Sequence, residues 1–323
     1  MDTSRVAYGV RMPAIDPIVL KVLQAVPFRL TLDDGVEAAR RQFRDLPRLP
    51  VHPEVPSEDR VIQGPGGDLR LRIYRPESTA GTAAAVVMFF HGGGFVVGDL
   101  DSYDGTARQH AVATDAVVVS VDYRLAPEHP FPAAVDDALA ATEWVAAHAD
   151  ELGLDPDRLA VAGDSAGGNL AAVVAQLVRD RATAGGPEIC FQLLWYPATT
   201  YDITLPSYTE NAHAPIIDRA AITALTHAYA GEANLKNPPP MLAPARAANL
   251  AGLPPAYIAV AGHDPLRDDG IRYGELLAAA GVVVQVHNAE TLVHGYLGYA
   301  GVIPVATEAA DAGLAALKAA LHS

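Results

Sequence analysis

The residues best suited to covalent chemistry lie in the run Gly163-Asp164-Ser165-Ala166-Gly167-Gly168. The run follows the apolar stretch Leu159–Ala162 and opens a helical pattern at Asn169. A serine on such a strand-to-helix turn stands with its hydroxyl exposed, and the amides that follow point the same way. The pattern G-x-S-x-G alone arises by chance in roughly one chain in ten of this length. Its place between a strand and a helix is what makes it informative.

A second run, His91-Gly92-Gly93-Gly94-Phe95, comes directly after the apolar stretch Ala83–Phe90. Glycines leave backbone N–H groups unobstructed, and such groups can bind the oxygen that becomes negative when a carbonyl is attacked. A plain flexible turn or a phosphate loop is the competing reading. Neither G-x-G-x-x-G nor a following Lys-Ser/Thr is present, which weakens the phosphate alternative.

A serine hydroxyl is a poor nucleophile until a base takes its proton and an acid orients that base. After a strand–Ser–helix elbow, the acid and then the base follow later in the chain. Asp264 lies just past the apolar run Tyr257–Ala261, at the strand end where ligands bind in parallel sheets. Asp268 and Asp269 compete, but they fall where a helix begins, and capping is their expected role. Four histidines come late enough to serve as base. His322 is next to last, His287 reads as a strand end after Val282–Val286, and His263 would have to fold back on Asp264. His294 lies on an expected loop, Ala289–Gly295, that can carry an imidazole to Ser165. Metal chemistry lacks its usual spacings: no H-x-x-x-H or H-E-x-x-H occurs, so no metal site and no cofactor are expected.

These groups need a scaffold that gathers strand ends. Ala83–Phe90, Val117–Val121, Leu159–Ala162, Ile189–Trp195 and Tyr257–Ala261 are continuous apolar runs, as strands buried on both faces read. Asp59–Gln63 and Leu69–Arg75 alternate and flank Gly64–Gly67, which suits an antiparallel pair at a sheet edge. Helical patterns fall between the strands: Ala133–His148, the stripe Leu170 to Val178, and Tyr273, Leu277, Ala280 closed by Gly281; Leu314, Leu317 and Leu321 lie on a last helix. The alternation predicts an α/β fold with a mostly parallel sheet covered on both faces.

Two stretches break the rhythm. Residues 1–55 hold short helical patterns at Ile15–Val26 and Val36–Phe43, then four prolines in Pro47–Pro56. Residues 199–250 are proline-rich with a helical patch at Ala220–Tyr229, which reads as an insertion above the sheet. The expected division is a helical cap from residues 1–50 and about 199–240, over a catalytic domain of 51–198 and 241–323.

Bulk composition narrows the partners. The 323 residues carry 23 Lys and Arg against 38 Asp and Glu, a formal charge of −15. Such a chain repels phosphate backbones and anionic lipid, so neither nucleic acid nor a membrane is an expected partner. The charge also favours neutral substrates over anionic ones. No secretory signal or membrane-length apolar run is legible, and a cytoplasmic location is expected. The single cysteine, Cys190, cannot form an internal disulfide and reads as a residue of the strand Ile189–Trp195.

Taken together, the ordered motifs resemble the hormone-sensitive-lipase-like branch of the α/β-hydrolases, the bacterial family IV esterases. The resemblance spans about Arg60 to the C-terminus. It rests on His91–Gly98, Asp122–Pro132, Gly163–Asn169, Tyr196-Pro197, Asp264–Leu266 with Asp268 and Gly270, and His294-Gly295. It implies an α/β-hydrolase fold with a helical cap and a cofactor-free carboxylesterase. Ser165 would be the nucleophile, His294 the base and acid, and Asp264 the orienting acid. The amides of Gly93, Gly94 and Ala166 would form the oxyanion hole, with His91 and Gly92 shaping the loop. The Asp122–Pro132 segment would buttress the site, its arginine and acids in structural ion pairs. Short to medium acyl chains on a small-molecule ester, and a homodimer around Val283–Val286, also follow from the resemblance. One departure is Tyr296, where the family commonly has Phe. Phe95, Tyr196, Tyr208 and Ile217 are candidates for the substrate pocket. Amide or lactone hydrolysis uses the same groups and stays open. Hormone receptors of this branch lack the histidine, and the presence of His294 argues against that role.

Overall fold

The computed structural model describes residues 13–81, 83–181 and 186–323. The first twelve residues of the expected N-terminal cap lie outside them.

Eight strands form one sheet: β1 (Ser57–Gly64), β2 (Gly67–Tyr74), β3 (Ala84–Phe90), β4 (Val117–Val121), β5 (Leu154–Asp164), β6 (Phe191–Trp195), β7 (Ala256–His263) and β8 (Val284–Val293). Their order is β1-β2-β4-β3-β5-β6-β7-β8. The pairs β1–β2 and β2–β4 are antiparallel and the rest are parallel. The alternating pair thus sits at one edge, and the fully apolar strands fill the middle, as expected of residues with two buried neighbours.

Successive residues of the central strands point to opposite faces, so each strand feeds two cores. Val86, Met88 and Phe90 join Leu170 of α6 (Ala166–Arg181), Val135 of α4 (Ala133–Ala147) and Tyr273 of α9 (Arg267–Ala279). Val87 and Phe89 face the other way, to Ala111 of α3 (Asp104–Thr114) and Leu317 of α10 (Pro304–Leu321). This arrangement is the predicted α/β class, with helices on both faces.

The structure shifts several local expectations. The sixth strand starts at Phe191, so Cys190 lies one residue outside it, although its amide donates to Leu159 O at 2.8 Å. The last strand does not end near His287. It runs on to Val293 against β7, which turns the expected loop Ala289–Gly295 into strand as far as Val293. The helix expected over Ala133–His148 stops at Ala147, and a short turn of helix, α5 (Ala149–Leu152), follows it.

The two irregular stretches meet. Helices α1 (Pro17–Ala25) and α2 (Val36–Arg44) come from the first, and α7 (Pro206–Glu210) and α8 (Arg219–Ala230) from the second. Between them Arg29 bridges Ile216, Leu30 N donates to Ile216 O at 2.7 Å, and Arg29 forms an ion pair with Asp218. No helix among the described residues is long and apolar enough to cross a membrane.

Candidate active site

Ser165 occupies the turn between β5 and α6 with φ of 55°, a left-handed conformation that costs a non-glycine residue about 1–3 kcal/mol. Its neighbours explain how the turn closes. A Cβ on Gly167 would run into the Phe90 carbonyl, and one on Gly163 into the backbone of Gly167. Only glycine permits that approach of strand and helix. The Ser165 amide donates to Trp195 O at 2.8 Å, which anchors the turn to β6.

The Ser165 hydroxyl lies 3.0 Å from His294 Nε2, and His294 Nδ1 lies 2.7 Å from Asp264 Oδ2. A carboxylate only accepts, so this network assigns the imidazole proton to Nδ1 and leaves Nε2 to accept from the serine. All three side chains are buried. Asp264 follows β7, and its other oxygen accepts from Leu266 N at 2.8 Å. His294 follows β8 and is succeeded by Gly295 at φ of 75°. The remaining late histidines stand elsewhere: His263 on Pro13 O, His287 against the Tyr257 ring, and His322 on Thr114 O.

Asp268 and Asp269 do not cap α9. Asp268 accepts from Ser207 N at 2.8 Å. Asp269 is fully buried and accepts from Thr199 N, Thr200 N and Thr200 Oγ1 at 2.8–3.1 Å. They tie down the start of the inserted stretch, and burial pushes the Asp269 carboxyl up to about 6.

The glycine loop turns tightly after β3. Gly93 O accepts from Val96 N and Val97 N at 3.1 and 3.0 Å. A trans peptide holds its N–H opposite its C=O, so the Gly94 amide points away from that turn. Gly92 N donates to Asp164 Oδ1 at 2.7 Å, and Tyr103 donates to Asp164 Oδ2 at 3.2 Å. Burial pushes the Asp164 carboxyl up to about 6 against those favourable bonds. His91 stacks on Tyr123 with ring centroids 4.3 Å apart, and burial lowers its pKa. In the Asp122–Pro132 segment, the ion pairs run outward: Asp122 to Arg70, Arg124 to Asp137, and Glu128 to Arg40.

A cleft of about 430 Å³, counted out to its open mouth, opens beside Ser165, Gly94 and Ala166. Phe95, Tyr208 and Ile217 line it. Tyr196 does not; it is buried behind the imidazole, with its ring 4.8 Å from that of His294. Tyr296 packs beside both Tyr196 and Trp195. The remaining wall, including Tyr201, Ile222, Leu225 and Leu266, was not legible beforehand. In sequence Ile222 and Leu225 read as packing of the helical patch Ala220–Tyr229, Leu266 as the end of the run Asp264–Leu266, and Tyr201 as part of the proline-rich stretch.

A serine turn, an imidazole and a carboxylate gathered at the carboxyl ends of β5, β8 and β7 are the layout of an α/β-hydrolase. A family model described as alpha/beta hydrolase fold matches residues 87–298. The chain is 67% identical over 311 residues to Esterase LipI of Mycobacterium tuberculosis, covering 96% of each. It is 52% identical over 319 residues to Carboxylesterase NlhH of the same organism, covering 97% of this chain and 98% of that one. Its backbone matches a hyperthermophilic esterase from Pyrobaculum calidifontis with a TM-score of 0.85 at 37% identity, over 95% of this chain and 99% of that one. The chain belongs to the hormone-sensitive-lipase-like, family IV esterases of the α/β-hydrolase superfamily and is a carboxylic ester hydrolase.

Proposed function

We propose that the protein hydrolyses neutral, short- to medium-chain carboxylic esters through an acyl-enzyme on Ser165. The observation that carries this is the unbroken hydrogen-bonded line Ser165–His294–Asp264 beside the cleft. As Ser165 Oγ attacks the ester carbonyl, Nε2 of His294 takes its proton, and Asp264 holds the imidazole and steadies the charge it gains. The carbonyl oxygen becomes an anion and is received by the amides of Gly93, Gly94 and Ala166, each worth about 2.7–4 kcal/mol to the transition state. The alcohol leaves with the proton from His294. Water, activated by the same imidazole, then attacks the acyl-enzyme and releases the acid.

In this reading the described part of residues 1–50 and about 199–240 form a cap, and the cleft beneath it receives the acyl chain. Phe95, Tyr208 and Ile217 contact that chain, whereas Tyr196 supports His294 from behind. The apolar lining suits uncharged chains, and the charge of −15 disfavours anionic esters.

Turnover of p-nitrophenyl esters from acetate to laurate tests the proposal. Wild type is expected to peak at short or medium chains. Ser165→Ala is expected to lower turnover by about 10⁴-fold or more while the circular dichroism spectrum is unchanged. A folded Ser165→Ala variant that retains activity would falsify the nucleophile assignment.

A further inference from the structure

We propose that Arg40, in the N-terminal helix α2, is a positioning residue for the oxyanion amide of Gly94. The inference rests on the oxyanion hole of the preceding section. A guanidinium has five N–H donors in a rigid fork, and all five of Arg40's are engaged. Nε donates to Val96 O at 2.9 Å. Nη2 donates to Ala126 O at 3.0 Å and to Glu128 Oε2 at 2.7 Å. Nη1 donates to Glu128 Oε1 at 2.8 Å and to Glu37 Oε1 at 3.2 Å. The side chain is only 15% exposed although it carries a full charge.

What those acceptors hold gives the contact its meaning. Val96 is the residue whose N–H closes the turn on Gly93 O. Its own carbonyl is held from outside by Arg40. Ala126, the second carbonyl on the fork, donates its amide to Phe95 O at 2.8 Å. Arg40 therefore grips the turn directly at Val96 and indirectly through residue Ala126. The Gly93–Gly94 peptide is fixed in plane by the turn, and the turn is fixed by the guanidinium. Preorganised amides stabilise the oxyanion because they need not reorient as charge develops. The N-terminal segment thereby reaches the chemistry as well as covering it. Lysine offers a point charge without the fork and cannot hold the same set of acceptors.

The test compares Arg40→Met, Arg40→Lys and Glu128→Gln on p-nitrophenyl butyrate, with a trifluoromethyl ketone as tetrahedral-adduct inhibitor. Arg40→Met is expected to lower kcat about tenfold with KM within about twofold, and to weaken the ketone by the same factor. Arg40→Lys should fall between it and wild type. Glu128→Gln leaves both carbonyl contacts in place and should keep kcat within about twofold. A folded Arg40→Met variant with wild-type kcat and ketone affinity overturns the assignment. So does a Glu128→Gln variant as impaired as Arg40→Met, because the ion pair would then carry the effect. Should Arg40→Met fail to fold, the kcat and ketone affinity of Arg40→Lys decide in the same way. Ser165→Ala in the same assay separates the two proposals. Turnover surviving there sinks the serine reading; turnover lost there with Arg40→Met unaffected sinks only the role of Arg40.

Discussion

Asp164 joins the glycine loop to the turn that carries Ser165. One of its oxygens holds the Gly92 amide, the other receives the Tyr103 hydroxyl, and the next residue is Ser165. Those two bonds and the nearby His294 all favour the ionised carboxylate, yet burial outweighs them and pushes the pKa up to about 6. The sign of the linkage follows. A carboxyl raised in the fold from 3.8 contributes stability that is full below 3.8 and is lost as pH rises through about 6. The gap corresponds to roughly 3 kcal/mol at most. Asn at this position keeps an acceptor for Gly92 N and removes the titration. Urea unfolding of Asp164→Asn and wild type should therefore diverge with pH. The stability of the variant relative to wild type is expected to rise between pH 4 and pH 8 by up to about 3 kcal/mol. Asp269 is also raised, but it is present in both proteins and cancels in the difference. A difference that stays flat across that range would show that Asp164 does not titrate as its burial implies.

Helix α8 forms much of one cleft wall through Ile222 and Leu225, and its first turn is held twice. Asp218 caps it by accepting from Ala221 N at 2.8 Å and also pairs with Arg29. Asn caps as well as Asp, so Asp218→Asn removes the ion pair and keeps the helix. The Arg29 side chain is 51% exposed, which limits the pair to about 1 kcal/mol of stability. Its effect should also reach the wall: with the strap released, longer acyl chains are expected to fit better. The ratio of kcat/KM for decanoate over butyrate is expected to rise about threefold in Asp218→Asn, roughly what 0.6–0.7 kcal/mol would give. An unchanged ratio would show that the pair does not shape the cleft. Contacts of this kind explain what the sequence could and could not reveal. Val117–Val121 is legible as a strand because both of its faces are buried. Ser165, Asp264 and His294 are legible because turn glycines and strand ends leave local marks. The end of β8 is not: Ala289–Val293 reads as loop past a strand end at His287, yet it stays paired with β7 to Val293, with the polar Glu290 exposed at the sheet edge. Asp268 and Asp269 mimic helix capping locally, while their partners lie about sixty to seventy residues away. Leu225 carries no sign that its helix borders a cleft.

Across the whole molecule the sheet separates two cores, and the ladder within it sets the geometry of the site. Asp164 pairs with Trp195, and Trp195 with Ala259, so β5, β6 and β7 are locked in register just before Ser165 and Asp264 emerge. The helices contribute burial outside that ladder. Helix α10 lays Gly313 against the Trp195 ring, where any Cβ would collide, and buries Leu314 and Leu317 completely or nearly so. On the same face Trp195 Nε1 donates to His110 Nε2 at 3.1 Å, and burial pushes that imidazole down to about 4, so it accepts the bond as a neutral ring. Stability and catalysis should therefore respond differently to damage here. Leu317→Ala removes a fully buried side chain and is expected to cost about 2–5 kcal/mol through lost burial and the cavity left behind. In a chain of this size that lowers Tm by about 3–7 °C. The strand ends remain tied by backbone hydrogen bonds, so kcat measured well below the transition should stay within about twofold of wild type. Calorimetry and turnover on one preparation decide the matter. If kcat falls together with Tm, the helix layer, and not the ladder alone, holds Ser165 and His294 in line.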